Sequence, residues 1–340
     1  MIPSKALIPG KIMLAGEYAV LRGERALAAT IQAWLSVEIT SENLEGGVLC
    51  SSSLWNAPVL LPRVDANQPS TPDHEPLVDT ARYLMRERHL SNARIHVHSP
   101  LKTTWGAGTS SALRLGVLLA AQHATSATTD SLTLAREAWA LQRRQQREAS
   151  GYDVATQITG GAIVFTPPSG RGLWPGAIAS LPVEDLQRLS EHVHVVVGGR
   201  GAPTTATLGS TLEWIDQTAQ AATIQSTQRE LVDGFLGFAR GLLSLETLCQ
   251  SCERARRVFE SSPRFPSEIK DALRQDSRSD SEWSWKTSGA GGEDALILIG
   301  KRDSLRAPLQ TLARLGWMPL GIPFGGVPSV STFTPSEDRS

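Results

Sequence analysis

Lys102-Thr-Thr-Trp-Gly-Ala-Gly-Thr-Ser-Ser-Ala112 is a glycine-bearing turn between two regular elements. Before it, residues 93–98 alternate Ile95 and Val97 with polar neighbours, which predicts a strand. After it, residues 112–124 hold no breaker but Gly116, which predicts a helix. A strand, a glycine turn and a helix start make a place for an anion. Gly106 and Gly108 let backbone N–H groups converge without Cβ obstruction. The helix start adds unpaired N–H groups and a positive dipole end. The hydroxyls of Thr109, Ser110 and Ser111 suit either a helix cap or Mg²⁺ beside a phosphate. The same letters also fit an ordinary glycine turn with a serine cap. No G-x-x-x-x-G-K-[ST] string is present, so this is not a P-loop. The dinucleotide fingerprint G-x-G-x-x-G has Ser111 in place of its third glycine, a small residue that variants of it tolerate; position argues better against it, since that loop opens the first βαβ unit rather than lying this far along the chain.

Outward from this turn, glycines gather again at residues 9–17 and 286–294. Residues 5–8 and 11–15 read as strands around a Pro9-Gly10 turn; Gly16-Glu17 interrupts, and the strand resumes at 19–21. Strands are also expected at 26–40, 162–166, 192–197, 283–288, 295–299 and near 317–322. Helices are expected at 77–88, 131–147, 206–240, 242–260 and 303–315, with a short one inside 150–161. Residues 41–75 read as loops and short hairpins, and the polar tail 333–340 as frayed. Pro, Gly and Arg collect at 167–182, which sets the expected domains at 1–183 and 184–340.

The chain has 340 residues, long for one domain. Lys+Arg 33 against Asp+Glu 34 leaves a net charge of −1, no global field to draw it onto nucleic acid or anionic lipid. Cys50, Cys249 and Cys252 are too few for a disulfide scaffold and suit a reducing compartment. Cys249 and Cys252 lack the second pair that zinc would want, so they read as two thiols on one helix face. The histidine pairs His96/His98 and His192/His194 each read as sharing a strand face without a third ligand. No apolar run reaches a membrane span of about 20 residues, and Met1-Ile-Pro-Ser-Lys5 lacks a leader pattern. These features predict a cytoplasmic protein, a monomer or homodimer, whose partner is a small molecule rather than nucleic acid or membrane.

In order and spacing, these segments resemble the three motifs of the GHMP kinase superfamily, which includes galactokinase, homoserine kinase, mevalonate kinase and phosphomevalonate kinase. Pro9-Gly-Lys-Ile-Met-Leu-Ala-Gly-Glu-Tyr-Ala-Val-Leu21 is similar to motif one. Residues 102–112 are similar to motif two, with Ala107 for Leu and Thr109 for the first Ser. Lys286-Thr-Ser-Gly-Ala-Gly-Gly-Glu-Asp294 is similar to motif three. Ser150-Gly-Tyr-Asp-Val-Ala155 resembles the family's S-G-x-D element. Gly16-Glu17-Tyr18, the third motif and Gly198-Gly-Arg-Gly-Ala-Pro-Thr-Thr205 look most like the phosphomevalonate kinase branch.

The resemblance implies an α+β, two-domain GHMP kinase fold. Its N-terminal domain would resemble ribosomal protein S5 domain 2, and its C-terminal domain a ferredoxin-like sheet. It implies ATP and Mg²⁺ as cofactors and phosphoryl transfer to 5-phosphomevalonate, with mevalonate or another small alcohol as the rival acceptor. Lys11 would approach the transferred phosphoryl group and Asp153 would orient the acceptor; the plainer readings are a solvated strand-end lysine and a helix-start aspartate. Trp105, Gly106, Ala107, Gly108, Thr109, Ser110 and Ser111 would hold ATP, with Ser110 also on Mg²⁺. Glu17, Tyr18, Lys102, Ser150, Gly151, Arg200, Ser288, Gly289, Ala290 and Gly291 would face the acceptor. Three positions depart from the pattern. Gln142 replaces a metal-binding Glu of mevalonate kinases, Glu293 a glycine, and Arg114 a small residue. Gln142 and Glu293 motivate a rival of another class, a catalytically silent nucleotide-binding homologue.

Overall fold

The structure, a computed structural model, describes residues 1–63, 75–169, 172–198, 204–274, 282–289 and 295–334, the side chains of 204–207 and 274 aside. Arg200, Ala290, Gly291 and Glu293 lie outside them. The larger sheet has eight strands: β1 (Ser4–Ala15), β2 (Ala26–Ser41), β3 (Val48–Ser52), β4 (Val59–Leu61), β5 (Ala93–His98), β6 (Ala162–Thr166), β7 (Ala177–Ser180) and β12 (Ser329–Thr332). The smaller joins β8 (Val193–Val197), β9 (Trp283–Thr287), β10 (Ala295–Gly300) and β11 (Met318–Pro319) in the order β11-β8-β10-β9. Its neighbouring strands are all antiparallel, with helices inserted after β8 and after β10. This is the ferredoxin-like arrangement. The helices are α1 (Pro76–Glu87), α2 (Thr109–Ala124), α3 (Ser131–Gln145), α4 (Tyr152–Thr159), α5 (Val183–His192), α6 (Thr204–Gln217), α7 (Ala221–Ala239), α8 (Leu245–Phe259), α9 (Ser267–Arg274) and α10 (Arg306–Arg314). The architecture is the two-domain α+β fold expected.

β1 positions the site. Its first residues alternate in burial, but from Ile8 to Ala15 every side chain is buried. Alternation fails there because both faces are covered. Ile8 and Met13 enter the core with α2 and α4, while Ile12 and Leu14 pack with β8, β10, α7 and α8. The Pro9-Gly10 pair does not end the strand. It makes a register shift against β2, from Pro9↔Trp34 to Gly10↔Ile31, so the chain continues as one bulged strand.

Other expectations shift for local reasons. Residues 19–22 form a 3₁₀ turn rather than a strand, entered through Tyr18 at φ 59 and left through Gly23 at φ 93. The span 206–240 is two helices, parted near Ala219 at φ 55. The turn-rich stretch before residue 183 hides β7, and the chain end hides β12, which returns to pair with β1. His192 ends α5, with its ring edge against Phe238, so it does not share a strand face with His194.

Cys249 and Cys252 do sit on one face of α8, both fully buried, and Cys50 is buried too. Burial pushes the thiols of Cys50 and Cys249 up to about 12 and that of Cys252 to about 11. The thiolate is the nucleophile. At about pH 8 all three should therefore resist iodoacetamide in the native protein and react in denaturant. A native thiol labelled at the rate of a free cysteine would contradict that burial.

Candidate active site

The turn before α2 is a 3₁₀ segment, Thr103–Trp105, followed by Gly106 at φ 60 and Gly108 at φ 72. Both lie in the left-handed region that side chains avoid. Gly108 is also crowded: an added Cβ would stand 2.8 Å from Lys11 Cε and 2.9 Å from its Cγ. A Gly108→Ala variant should therefore displace Lys11 or open the turn. The expected result is a loss of anion binding at the turn by at least about tenfold, a cost above 1.4 kcal/mol. Calorimetry giving the wild-type affinity would contradict the assignment.

Gly108 is the N-cap of α2 and supplies no side-chain cap. The first-turn N–H groups of Thr109, Ser110 and Ser111 are thus left for an anion. Ser111 is spent internally, its hydroxyl donating to Gly108 O at 2.9 Å. Ser110 is exposed, and the buried Thr109 Oγ1 has no hydrogen-bond partner among the described residues. Trp105 stands beside the turn with the exposed Lys102 ammonium 6.0 Å from its ring centre.

Lys11 is drawn to this turn twice. Its N–H donates to Ala107 O at 2.9 Å, and its Nζ donates to Gly106 O at 3.0 Å. The same ammonium donates to Tyr152 Oη at 3.0 Å. It is only 6% exposed, so it is not a solvated strand-end lysine. Burial raises the Tyr152 phenol above its ordinary range, while Lys11 pulls it back. Tyr152 opens α4, whose next residue is Asp153. The Asp153 carboxylate is buried in that helix's first turn, where the dipole favours its charge. It accepts from Gln142 Nε2 at 2.9 Å. Gln157, one turn further along α4, donates to Pro9 O and Gly108 O, each at 3.1 Å, and so ties the helix to β1 and to the glycine turn.

The third motif meets β1 from the other side. Ser288 Oγ donates to Met13 O at 2.9 Å. Lys286 forms a buried ion pair with Glu17 and donates to Thr287 O at 2.7 Å. Gln228 of α7 accepts from Gly16 N–H at 2.8 Å. Glu17, Tyr18, Lys286 and Gly289 line one cavity with Phe259 and Phe265. Glu17 Oε2 is buried there without a partner among the described residues. Tyr18 packs against Phe259, ring centres 5.7 Å apart, and burial raises its phenol. Gly289 has φ 70, and no atom of the described residues lies within 4 Å of its Cβ position.

Ser150 and Gly151 have a packing duty. A Cβ on Gly151 would lie 2.4 Å from Trp139 Cδ1 and 2.6 Å from Trp174 Nε1, and that indole N–H donates to Ser150 O at 2.9 Å. The stacked tryptophans thus fix the entry to α4.

Sequence reading passed over the Lys11 partner Tyr152, the loop tie Gln157 and the Glu17 partner Lys286. Gln157 is four residues past Asp153, hence on its helix face. Tyr152 and Lys286 stood inside quoted motifs, but only contacts distinguish them.

Arg114 is a further buried charge, on the helix behind the turn. It is 2% exposed, on the second turn of α2. Its Nη1 donates to Ser110 O at 3.2 Å and its Nη2 to Gln145 Oε1. Burial lowers its guanidinium below the ordinary range, and the fields of Asp79 and Asp153 oppose that.

Residues 76–161 match the family of GHMP kinases N terminal domains. No curated protein sequence matches the chain. Among solved structures, the Lin0012 protein from Listeria innocua is similar with a TM-score of 0.75 at 17% identity, over 97% of this chain and 99% of that one. Streptococcus pneumoniae phosphomevalonate kinase in complex with phosphomevalonate and AMPPNP gives 0.72 at 17% identity, over 94% and 99%. Methanococcus jannaschii mevalonate kinase gives 0.69 at 17% identity, over 94% and 98%.

Proposed function

We propose that this chain, which carries a GHMP kinase N-terminal domain on a GHMP kinase fold, transfers the terminal phosphoryl group of ATP to 5-phosphomevalonate, giving 5-diphosphomevalonate. The observation that carries the kinase reading is the meeting at Lys11. One buried ammonium touches the glycine turn before α2 and the helix that bears Asp153. Phosphoryl transfer asks mainly for positioning and charge neutralisation. ATP phosphates would lie on the first turn of α2, with Lys11 beside the moving group. Asp153 would orient the acceptor; a phosphate monoester is already mostly ionised, with a second pKa of about 6, and needs no base. Mg²⁺ would arrive on the nucleotide, where it neutralises charge on the phosphate oxygens. The donors that suit it are the hydroxyls of Ser110 and Thr109, hard oxygens beside the anion site.

The resemblance of Gly16-Glu17-Tyr18 and of the third motif supports 5-phosphomevalonate. Lys102 and Arg200 are the cations assigned to its phosphate. One observation favours mevalonate instead. In the cavity beside Glu17, Lys286 is paired with Glu17, and Arg256 with Glu253 and Glu260. A coupled ADP-release assay on both acceptors decides. Turnover of 5-phosphomevalonate with little on mevalonate is the expected result. The reverse would establish the rival acceptor, and ATP binding without turnover of either would favour a silent homologue. Buried thiols and use of ATP support a cytoplasmic setting. No described helix is long and apolar enough to cross a membrane.

A further inference from the structure

The Tyr152 hydroxyl has a hydrogen left to give. Its ring opens α4 and lies half-buried against the core of the larger sheet. The entry to that helix is tied down before it: Trp139 Nε1 donates to Ala149 O and Trp174 Nε1 to Ser150 O, each at 2.9 Å. One turn on, Thr156 Oγ1 donates to Tyr152 O at 2.7 Å. The phenol thus stands on a fixed support, as a preorganised donor must.

The role of the phenol follows from counting donors and acceptors. The Lys11 ammonium lies 3.0 Å from Tyr152 Oη and 5.1 Å from the centre of its ring. An ammonium only donates, so the phenol oxygen accepts and its own hydrogen turns to another group. The Lys11 contact is the one hydrogen bond of that hydroxyl among the described residues. Asp153 follows Tyr152 on the helix, where adjacent side chains do not face each other, and its carboxylate accepts from Gln142. Glu17 reaches the phenol through its field, while its Oε1 accepts from Lys286. Burial, the largest influence on the phenol, keeps it protonated, with Lys11 opposing. Packing alone would be served by phenylalanine. A protonated phenol beside an ammonium, which itself touches the glycine turn at Gly106 O, suits an oxygen anion instead.

We propose that Tyr152 donates this hydrogen to an oxygen of the phosphoryl group that Lys11 faces, so that charge and a neutral hydrogen bond grip the same group. That this group is the terminal phosphoryl of a nucleotide rests on the kinase reading. The donor role itself needs only a phosphate oxygen beside Lys11.

The test compares AMPPNP with ADP, which lacks the terminal phosphoryl group, by calorimetry on the wild type and Tyr152→Phe. The variant keeps the ring and loses only the hydroxyl. AMPPNP should bind at least about tenfold more weakly, the size of a lost hydrogen bond to a charged group. ADP affinity should change less than about twofold. Replacing Tyr152 by a ring-fluorinated tyrosine, at a pH where its phenol stays protonated, separates donating from accepting. That phenol is more acidic, hence a better donor and a poorer acceptor, so AMPPNP should bind more tightly than to the wild type. Unchanged AMPPNP affinity in Tyr152→Phe would overturn the proposal. So would an equal loss for ADP and AMPPNP, or weaker AMPPNP binding to the fluorinated protein, since either leaves Tyr152 only supporting Lys11. The kinase reading fails by other results. A wild type that binds AMPPNP but turns over neither acceptor with ATP would end that reading and leave the comparison standing. A wild type that binds neither nucleotide would end it too, and inorganic pyrophosphate then takes the place of AMPPNP. Weaker pyrophosphate binding by Tyr152→Phe would uphold the donor role, whereas equal binding, or none by the wild type, would overturn it.

Discussion

Lys11→Met should lower kcat about 10³-fold, the size seen when one preorganised charge donor is removed from a developing anion. Methionine keeps much of the volume and loses only the ammonium. The lost interactions are specific: Nζ to Gly106 O at 3.0 Å and to Tyr152 Oη at 3.0 Å. Both are buried or half-buried groups, so stability should also fall, by about 1–3 kcal/mol for partners left unsatisfied. The two effects separate in measurement. The transition-state role appears in kcat with ATP affinity changed much less, while the structural role appears in the unfolding midpoint. A folded Lys11→Met enzyme with kcat within about twofold of wild type would remove Lys11 from the chemistry, since the role requires stabilisation of the transition state beyond the ground state.

Lys286→Met should produce the largest loss of stability, about 3–5 kcal/mol for a buried charge left without its partner. Lys286 and Glu17 are each only 4% exposed at their side chains. The pair joins the smaller sheet to the turn after β1, so its loss strands the Glu17 carboxylate between the domains. In thermal unfolding this should read as a fall in Tm of roughly 10 °C. A second substitution shows whether charge or packing is responsible. Adding Glu17→Leu to Lys286→Met removes the stranded charge and should recover much of the loss, as apolar replacement of buried pairs often does. A single variant melting at the wild-type temperature, or a double variant no better than the single, would contradict the account.

Much of the fold around this turn was legible in the letters because a turn that converges backbone N–H groups needs glycine. Gly106 and Gly108 announced their turn, and Ala112–Ala124 announced the helix behind it. Asp153 was legible from its place just after Ser150-Gly151 in a recognisable element. What the letters withheld was set by contact across long sequence distance. Pro9-Gly10 reads as a turn, but β2 on one side and a covered face on the other carry the strand through it. Tyr152 and Gln157 gain their roles only when α4 lies against Pro9 and Gly108. Arg114 stands in the letters only as a large residue where the motif has a small one, and its burial comes from α3 closing over it. β12 is short and polar, and only pairing with β1 makes it a strand.

The central claim is that the turn before α2, strand β1 at Lys11 and the start of α4 form one triphosphate cradle. Hydrogen exchange with and without AMPPNP tests it most directly, because the groups proposed to bind phosphate are backbone amides. The account predicts that nucleotide slows exchange at residues 106–111 and around Tyr152. Protection confined to other segments, or none at saturating nucleotide, would contradict it.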